Sequence, residues 1–325
     1  NIVAASNAPQ ALKDGADYVA TGSGDEATIN TALAAAAGGK VYLTEGTYTI
    51  YDSISIPNNT VLAGAGAGTV ITFPNGFGLD RSAIVNTDTA TGTGITIRDL
   101  KIDGNNANIS MGNGNGIYLT GVGSDASGSV RAGAVITNVI VNNLYNGSSL
   151  ASVIALDGTY NTSISDSTLG SGNLYIHGSH NIVSNNYIFD SQQVGIYIDG
   201  TSHDNIITDN NIQDTQLWGV YLYNAAFTTI SGNRITNTGG STTNDAIYLD
   251  SSDNTTITNN TIDDNSATTN NYAINIANAS AENNYLADNN VWGASVNDAG
   301  TGTIYGGQVT SASGSYLLKP AGTIN

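Results

Sequence analysis

The sequence contains no cysteine, and this absence excludes several kinds of site at once. Without thiols the chain can form no disulfide framework, no thiolate metal centre and no cysteine nucleophile. Long apolar runs are also missing, because none approaches the ~18 consecutive residues that a membrane-spanning helix requires. We therefore expect no membrane insertion.

Charged residues are scarce as well. They make up 10% of the 325 residues, whereas an ordinary globular protein contains roughly 25%. Eight Lys and Arg oppose 26 Asp and Glu, which gives a formal net charge of -18 at pH 7. Because an acidic surface repels a phosphate backbone, the composition predicts that nucleic acid is not a partner.

What the chain does contain is a repeated four-residue pattern of an aliphatic residue, an outward residue, a second aliphatic residue and a residue that is usually polar. The alternation within each copy is typical of a strand with one buried face. From Tyr175 onward, successive copies are 22, 24, 27 and 27 residues apart. The copies occupy residues 117–120, 154–157, 174–177, 196–199, 220–223, 247–250 and 274–277.

A second pattern between these copies places asparagine at one fixed point, in the order aliphatic-x-x-Asn-x-aliphatic. Asn tolerates the left-handed backbone conformation, and stacked Asn side chains can pass hydrogen bonds from one repeat to the next. We therefore expect an asparagine ladder at a turn. Its residues are Asn186, Asn210, Asn233, Asn260 and Asn289.

The repeat length decides the architecture. Repeats of 22 to 27 residues are too short for a β-α-β unit, which needs about 30 residues. Leucine-rich repeats have a similar length, but here Ile, Val and Thr fill the repeats and no helical stretch separates them. The sequence therefore predicts an all-β solenoid, a single-stranded parallel β-helix whose coils rise by ~4.8 Å each.

A short helix is predicted to cap the N-terminal end of this solenoid, at about residues 25–37. Ser23 and Glu26 form a capping-box pattern, apolar residues follow at helical spacing, and Gly38-Gly39 closes the segment. We expect a single domain over the whole chain. Its parts are an N-terminal cap (1–39), the β-helix coils (40–302) and a terminal coil or tail (303–325).

The C-terminal end carries no comparable helix. An uncovered last coil is a sheet edge, and a sheet edge pairs readily with another chain unless a loop covers it. The sequence therefore predicts a homo-oligomer or a filament assembled through this uncapped C-terminal end.

Two long stretches resemble a known superfamily. Residues 25–66, with Gly38-Gly39-Lys40-Val41-Tyr42-Leu43 and Ile56-Pro57-Asn58, resemble the opening of pectate-lyase-like right-handed β-helix proteins. Residues from about 94 to 290 resemble the repeats of NosD-type and of carbohydrate-binding and sugar-hydrolase β-helices. The resemblance implies a right-handed solenoid. It implies no single activity, since the superfamily includes lyases, hydrolases, epimerases and phage tailspikes.

The outward positions of the repeated pattern form a column that is rich in tyrosine, and a neighbouring column carries carboxylates and an imidazole. Aromatic planes beside such acceptors suit a sugar chain, whose ring faces stack on tyrosine. The alternative interpretation is that the tyrosines stack on one another and only stabilise the sheet. The predicted binding residues are Tyr118, Tyr175, Tyr197, Tyr221, Tyr223, Tyr248 and Asp250.

Asp157, His177 and Asp199 are the candidate catalytic residues. The two carboxylates lie two coils apart, or ~9.6 Å, near the upper end of the ~6.5 to 9.5 Å separation of inverting glycosidases. His177 would lie between them, and each carboxylate could serve as a general acid or base. Alternatively both carboxylates belong to turns, because each precedes a glycine and Asp-Gly is an ordinary turn pair.

Lyase or epimerase chemistry on acidic sugars needs a cation, and the basic residues do not converge on the tyrosine column. Calcium could substitute, held by the loop 103–116 or by Asp263-Asp264-Asn265, although neither has the spacing of a recognised calcium loop. The simpler interpretation of both segments is a solvated turn. The sequence therefore predicts no cofactor, with calcium as the alternative, and it predicts that His180 and His203 are surface residues without a metal.

Two functional hypotheses follow. The first is an extracellular or cell-surface protein that binds a polysaccharide or glycan surface along the tyrosine column, with glycoside hydrolase or lyase activity as a further option. The second is a non-enzymatic structural or adhesive subunit of a surface layer, filament or phage-type spike. The lack of a strong catalytic motif and of a C-terminal cap favours the second.

Overall fold

Short parallel strands, stacked coil upon coil, make up a right-handed parallel β-helix, as the repeats and the resemblance predicted. The computed structural model describes residues 1–78, 81–108, 114–123, 131–144, 151–240, 244–263, 272–306 and 310–311. Contacts divide the chain into two units, Asn1–Gly172 and Asn173–Asn325. The single domain expected from the sequence stays a prediction.

Three rows of parallel strands build the second unit, and each coil adds one strand to each row. We call these rows the first, second and third faces. The first face consists of Asn173–Ser179, Ile196–Ile198, Val220–Tyr223, Ile247–Asp250, Tyr272–Ile276 and Ser295–Asp298. The second consists of Ile182–Ser184, Ile206–Thr208, Thr229–Ser231, Thr256–Thr258, Tyr285–Ala287 and Ile304–Gly306. The third consists of Tyr187–Phe189, Asn211–Gln213, Arg234–Thr236, Thr261–Asp263, Asn290–Trp292 and Thr310–Ser311.

The first unit has the same parallel pairing but less regular coils. One sheet stacks Ile54–Ile56, Ile84–Asn86, Ile117–Thr120 and Ser152–Tyr160. The other strands are Ile2–Ala4, Tyr18–Val19, Lys40–Leu43, Gly46–Thr49, Val61–Ala63, Thr69–Thr72, Thr96–Asp103, Val135–Asn142, Ser163–Ser165 and Thr168–Gly170. Its helices are Gln10–Asp14 and Glu26–Ala35, with short 3₁₀ turns at Gly66–Gly68 and Asn106–Asn108.

The predicted capping helix is present and runs from Glu26 to Ala35, with Ile29 and Leu33 fully buried. The predicted capping box was wrong, because the residue that precedes the helix is Asp25 rather than Ser23. The buried Asp25 carboxylate turns away from the helix and accepts hydrogen bonds from the main-chain N–H groups of Thr21, Gly22 and Thr49. It therefore ties the start of the helix to the first coils.

Residues 1–39 are more than a cap. Ile2–Ala4 forms a parallel strand that pairs with both Tyr18–Val19 and Lys40–Leu43. The coils thus begin well before residue 40. At the other end, the predicted terminal coil contributes Ile304–Gly306 and Thr310–Ser311. Residues 307–309 and 312–325, which include the predicted open end, lie outside the described residues.

Aliphatic side chains fill the interior of the coils that the structure describes. Ile196, Ile198, Val220 and Leu222 are fully buried, whereas Tyr197 between the first two is half-buried on the outside. Burying one such side chain contributes about 1.5 to 3 kcal/mol. In-register stacking of the strands places Ile196 beneath Val220 and Ile198 beneath Leu222, so the aliphatic residues of successive coils form continuous columns.

The asparagine ladder is confirmed, at the corner between the second and third faces. All five ladder residues are buried. The side-chain oxygens of Asn210, Asn233, Asn260 and Asn289 each accept from both the main-chain and the side-chain N–H of the ladder residue one coil earlier, at 2.9 to 3.1 Å. The left-handed conformation falls on the preceding position, for example Asp209 at φ 55° and Asn259 at φ 57°. The expectation that the ladder residues themselves adopt it was wrong.

Candidate functional site

Four tyrosines form a continuous column on the outside of the first face. Tyr175, Tyr197, Tyr221 and Tyr248 occupy the same register position on four successive strands. The ring centroids of Tyr197 and Tyr221 are 5.0 Å apart with the planes 16° from parallel, while Tyr175 lies 5.7 Å from Tyr197. The predicted column is therefore present, and its neighbouring rings contact one another as the structural interpretation required, although only Tyr197 and Tyr221 are stacked in parallel.

The column is wider than the repeats indicated. Trp218, in the turn that leads into the third strand of this face, lies 4.7 Å from the Tyr221 ring and 5.2 Å from the Tyr248 ring. Tyr223 adds a further ring 6.3 Å from Tyr221 and is 39% exposed. We call the six side chains the aromatic patch: Tyr175, Tyr197, Trp218, Tyr221, Tyr223 and Tyr248.

Three tyrosine hydroxyl groups of this patch have a raised pKa. Burial raises the pKa of Tyr197, Tyr221 and Tyr248, and the nearby Asp250 carboxylate raises each of them further. A phenol that keeps its proton is a hydrogen-bond donor as well as an acceptor. The patch can therefore offer both ring faces and donors to a ligand.

Two carboxylates lie in the column next to the tyrosines, where the sequence placed them. Asp199 accepts a hydrogen bond from the Tyr175 hydroxyl at 3.0 Å. Asp250, in register with Tyr223, accepts from the Asn278 side chain at 2.7 Å and from the Ser251 hydroxyl at 3.0 Å. Each carboxylate has a second oxygen atom, and an ionised carboxylate accepts several hydrogen bonds at once.

A similar pair occurs in the first unit, where Tyr118 donates to Asp157 at 2.9 Å. Its two in-register neighbours are not aromatic, because Tyr118 lies between Val85 and Ala155. Asp157 belongs to the first unit, while His177 and Asp199 belong to the second. The joint action of these three candidate catalytic residues therefore stays a prediction.

Glycines beside the candidate carboxylates have a left-handed backbone conformation. Gly158 and Gly200 have φ values of 60° and 70°, which residues with a Cβ rarely adopt. A Cβ on Gly200 would lie 3.2 Å from two atoms of the His177 ring. Gly200 thus packs directly against the imidazole, and the turn role is supported for Asp199-Gly200. Asp157-Gly158 lies within the strand Ser152–Tyr160, so the turn interpretation does not hold for Asp157.

One predicted calcium segment is partly described. Asp103 pairs with Lys101 at 2.9 Å and accepts from the Asn143 side chain at 3.1 Å, so protein donors already serve its carboxylate. Residues 109–113 and 264–271 lie outside the described residues, so calcium binding remains a prediction. Within the described ranges, no helix combines the length and the hydropathy needed to cross a bilayer.

Comparison with known families identifies one model that matches this chain, the right-handed β-helix region, over residues 82–245. The chain is also similar to the pre-neck appendage protein of Bacillus phage B103, with 38% identity over 91 residues. That match covers 27% of this chain and 11% of the phage protein, so the chain spans about a tenth of that relative's length.

Solved structures share the fold at low identity. ORF18 of Geobacillus virus E2 has a TM-score of 0.65 at 15% identity, over 90% of this chain and 59% of that one. PfbA, a surface adhesin of Streptococcus pneumoniae, has 0.57 at 14%, over 94% and 93%. The A-module of the mannuronan C-5 epimerase AlgE6 of Azotobacter vinelandii has 0.51 at 19%, over 88% and 97%. Identities this low indicate a shared fold and no more.

Proposed function

The chain belongs to the family of right-handed β-helix region proteins, and on that premise we propose that it binds a polysaccharide or glycan surface along the aromatic patch. The observation that carries the proposal is the cluster of six aromatic side chains on one face of the second unit, flanked by Asp199 and Asp250. We propose an extracellular or cell-surface location for this activity.

Stacking of the tyrosines on one another accounts for their alignment but leaves the composition of their surroundings unexplained. A stable sheet requires neither the ring of Trp218, which lies in a turn, nor a column of carboxylates beside the tyrosines. A sugar chain uses both features, since its apolar ring faces stack on aromatic rings and its hydroxyl groups donate to carboxylates. Tyr223, the most exposed tyrosine of the patch at 39%, provides a first contact surface.

Charge narrows the class of glycan. With a net charge of -18 and two aspartates beside the patch, the protein repels a strongly anionic chain. A neutral or weakly charged glycan avoids this electrostatic repulsion. We include Tyr118 with Asp157 as a separate Tyr–Asp pair of the first unit that can contact the same kind of ligand.

A glycan array followed by titration calorimetry tests this proposal. Tyr221, which contacts four other members of the patch, is the sharpest target, and Tyr221→Ala should weaken binding at least tenfold. Tyr285→Ala is the matched control, because Tyr285 is a 38% exposed tyrosine on the second face. Equal binding by both variants, or no glycan bound by the wild type, would exclude the patch as the site.

Cleavage of the bound glycan is a further proposal, with Asp157, His177 and Asp199 as the candidate groups. Asp199→Asn should abolish the release of reducing ends while leaving binding close to normal. Asp209→Asn, at a turn on another corner of the coil, provides the control. Full turnover by Asp199→Asn would remove that residue from the mechanism.

A structural role is the second candidate function, and a specific observation favours it. The similarity to a phage pre-neck appendage protein, at 38% identity over 91 residues, fits a subunit of a spike, filament or surface layer in which the coils supply rigidity. Light scattering over a wide concentration range tests assembly. A monomer that persists at high concentration would count against this candidate.

A further inference from the structure

Two histidines and an aspartate meet at the corner between the first and second faces, away from the aromatic patch. Nδ1 of His203 lies 2.7 Å from Oδ2 of Asp204, and Nε2 of His180 lies 3.7 Å from the same oxygen. One ligand atom from each residue falls within a group 4.8 Å across. Two imidazole nitrogens and one carboxylate oxygen, all potential metal ligands, thus lie close together.

Stacking of two coils creates this cluster. The main-chain N–H of His180 donates to the carbonyl of His203 on the next coil at 3.1 Å, and the two imidazole rings lie 5.3 Å apart. His180 and Asp204 both adopt the left-handed conformation, with φ 58° and 56°. Equivalent backbone conformations at equivalent turns direct the side chains of the two coils to the same side.

We propose that His180, His203 and Asp204 bind a divalent transition-metal ion of the Zn²⁺ type. Two imidazole nitrogens and one carboxylate oxygen form a ligand set that suits Zn²⁺, whereas Ca²⁺ prefers oxygen ligands alone. Tetrahedral bonds of about 2.0 to 2.1 Å place neighbouring ligand atoms about 3.3 Å apart. The Asp204 oxygen lies 2.7 Å from the His203 nitrogen and 3.7 Å from the His180 nitrogen, and the two histidine nitrogens lie within 4.8 Å of each other. Side-chain rotations at this exposed corner can bring the three atoms to the required spacing.

A bound ion would keep one coordination position open and would link two consecutive coils. The three side chains are 44% to 49% exposed, so water or an external ligand can occupy the fourth position. Because His180 lies on one coil and the other two ligands lie on the next, the ion links consecutive coils at their turn. The net charge of -18 raises the local concentration of cations.

Titration calorimetry of the untagged full chain with ZnCl₂ tests the proposal. We expect one ion per chain, and at least a tenfold loss of affinity in both His180→Ala and His203→Ala, since even residues that only support a ligand change metal affinity by about 10- to 100-fold. His177→Ala is the matched control, because His177 is the one remaining histidine of the sequence. Its substitution should leave Zn²⁺ binding unchanged.

Two further measurements separate metal binding from folding. Asp204→Asn should weaken binding while Asp209→Asn, which alters another left-handed aspartate, should not. Circular dichroism without metal verifies that every variant is folded. If His203→Ala does not fold, His203→Gln is used in its place. Co²⁺ absorption of the wild type should show a four- or five-coordinate spectrum that the His203 variant lacks. No binding by the wild type at millimolar Zn²⁺, or wild-type affinity in either histidine variant, would overturn the proposal.

Discussion

Truncating one residue of the asparagine ladder tests how the coils are held together. Asn233 sits in the middle of the ladder and is 1% exposed. Its side-chain oxygen accepts from the main-chain and side-chain N–H groups of Asn210, both at 3.0 Å. Its side-chain nitrogen donates to the carbonyls of Ile207 and Ser231 and to the side-chain oxygen of Asn260. Asn233→Ala removes all of these bonds at once.

The size of the effect follows from what the truncation leaves behind. The main-chain N–H of Asn210 loses the acceptor it has in the buried corner, and an unsatisfied buried donor costs about 1 to 3 kcal/mol. The Asn210 side chain keeps two other acceptors, so its loss is smaller. Each further hydrogen bond contributes about 0.5 to 1.5 kcal/mol net. We expect the free energy of unfolding to fall by about 3 kcal/mol.

Chemical denaturation followed by circular dichroism measures this change. Asn211→Ala is the matched control, because Asn211 directly follows the ladder residue Asn210 and lies on the outer side of the third face. Its side-chain oxygen has no hydrogen-bond partner among the described residues. Its truncation should change stability by no more than about 0.5 kcal/mol. Asn233→Asp should be worse than Asn233→Ala, since a second carboxylate oxygen would face three acceptors. A loss for Asn233→Ala no larger than that of the control would refute the account of the ladder.

Three other predictions concern the remaining parts of the molecule. Burial raises the pKa of Tyr48, whose hydroxyl donates to the Val3 carbonyl, to about 12. Because the folded state then keeps a proton that the unfolded chain releases, the free energy of unfolding should fall by up to about 2.7 kcal/mol between about pH 10 and pH 12. Denaturation of Tyr48→Phe at the same pH values should lack this fall. Asp25→Ala leaves three main-chain N–H groups without their carboxylate and should cost about 3 kcal/mol in the same assay. If the aromatic patch binds a glycan, Trp218→Phe should abolish the glycan-induced change in fluorescence and Trp292→Phe, which alters a 48% exposed indole outside the patch, should retain it.

Residues with a repeated role were predictable because a solenoid turns sequence spacing into spatial stacking. The aliphatic pairs such as Ile196 and Ile198, the asparagine ladder and the tyrosine column recur in successive coils of the second unit, and each copy supports the same assignment as the others. Exposure of the tyrosines followed from the two-residue period of a strand. The capping helix was predictable from its apolar spacing.

Features that depend on a single turn were not predictable in this way. Trp218 occurs once, and nothing in the repeats indicates that its ring packs against both Tyr221 and Tyr248. The carboxylate of Asp25 reaches Thr49 on a strand 24 residues later, a contact that no local helix-capping rule contains. His180 and His203 were predicted to be plain surface residues, and their common corner becomes visible only when two coils are aligned.

The sequence alone determined the class of fold and the identity of the stacked columns, since the hydrophobic period and the repeat length leave few ways to bury the aliphatic residues. The tertiary structure decided which side chains at the corners meet, how deeply each tyrosine is buried, and which donors already serve each carboxylate. The physical reason is that strand period is set by local backbone geometry, whereas turns of unequal length between faces take their conformation from the coils above and below them.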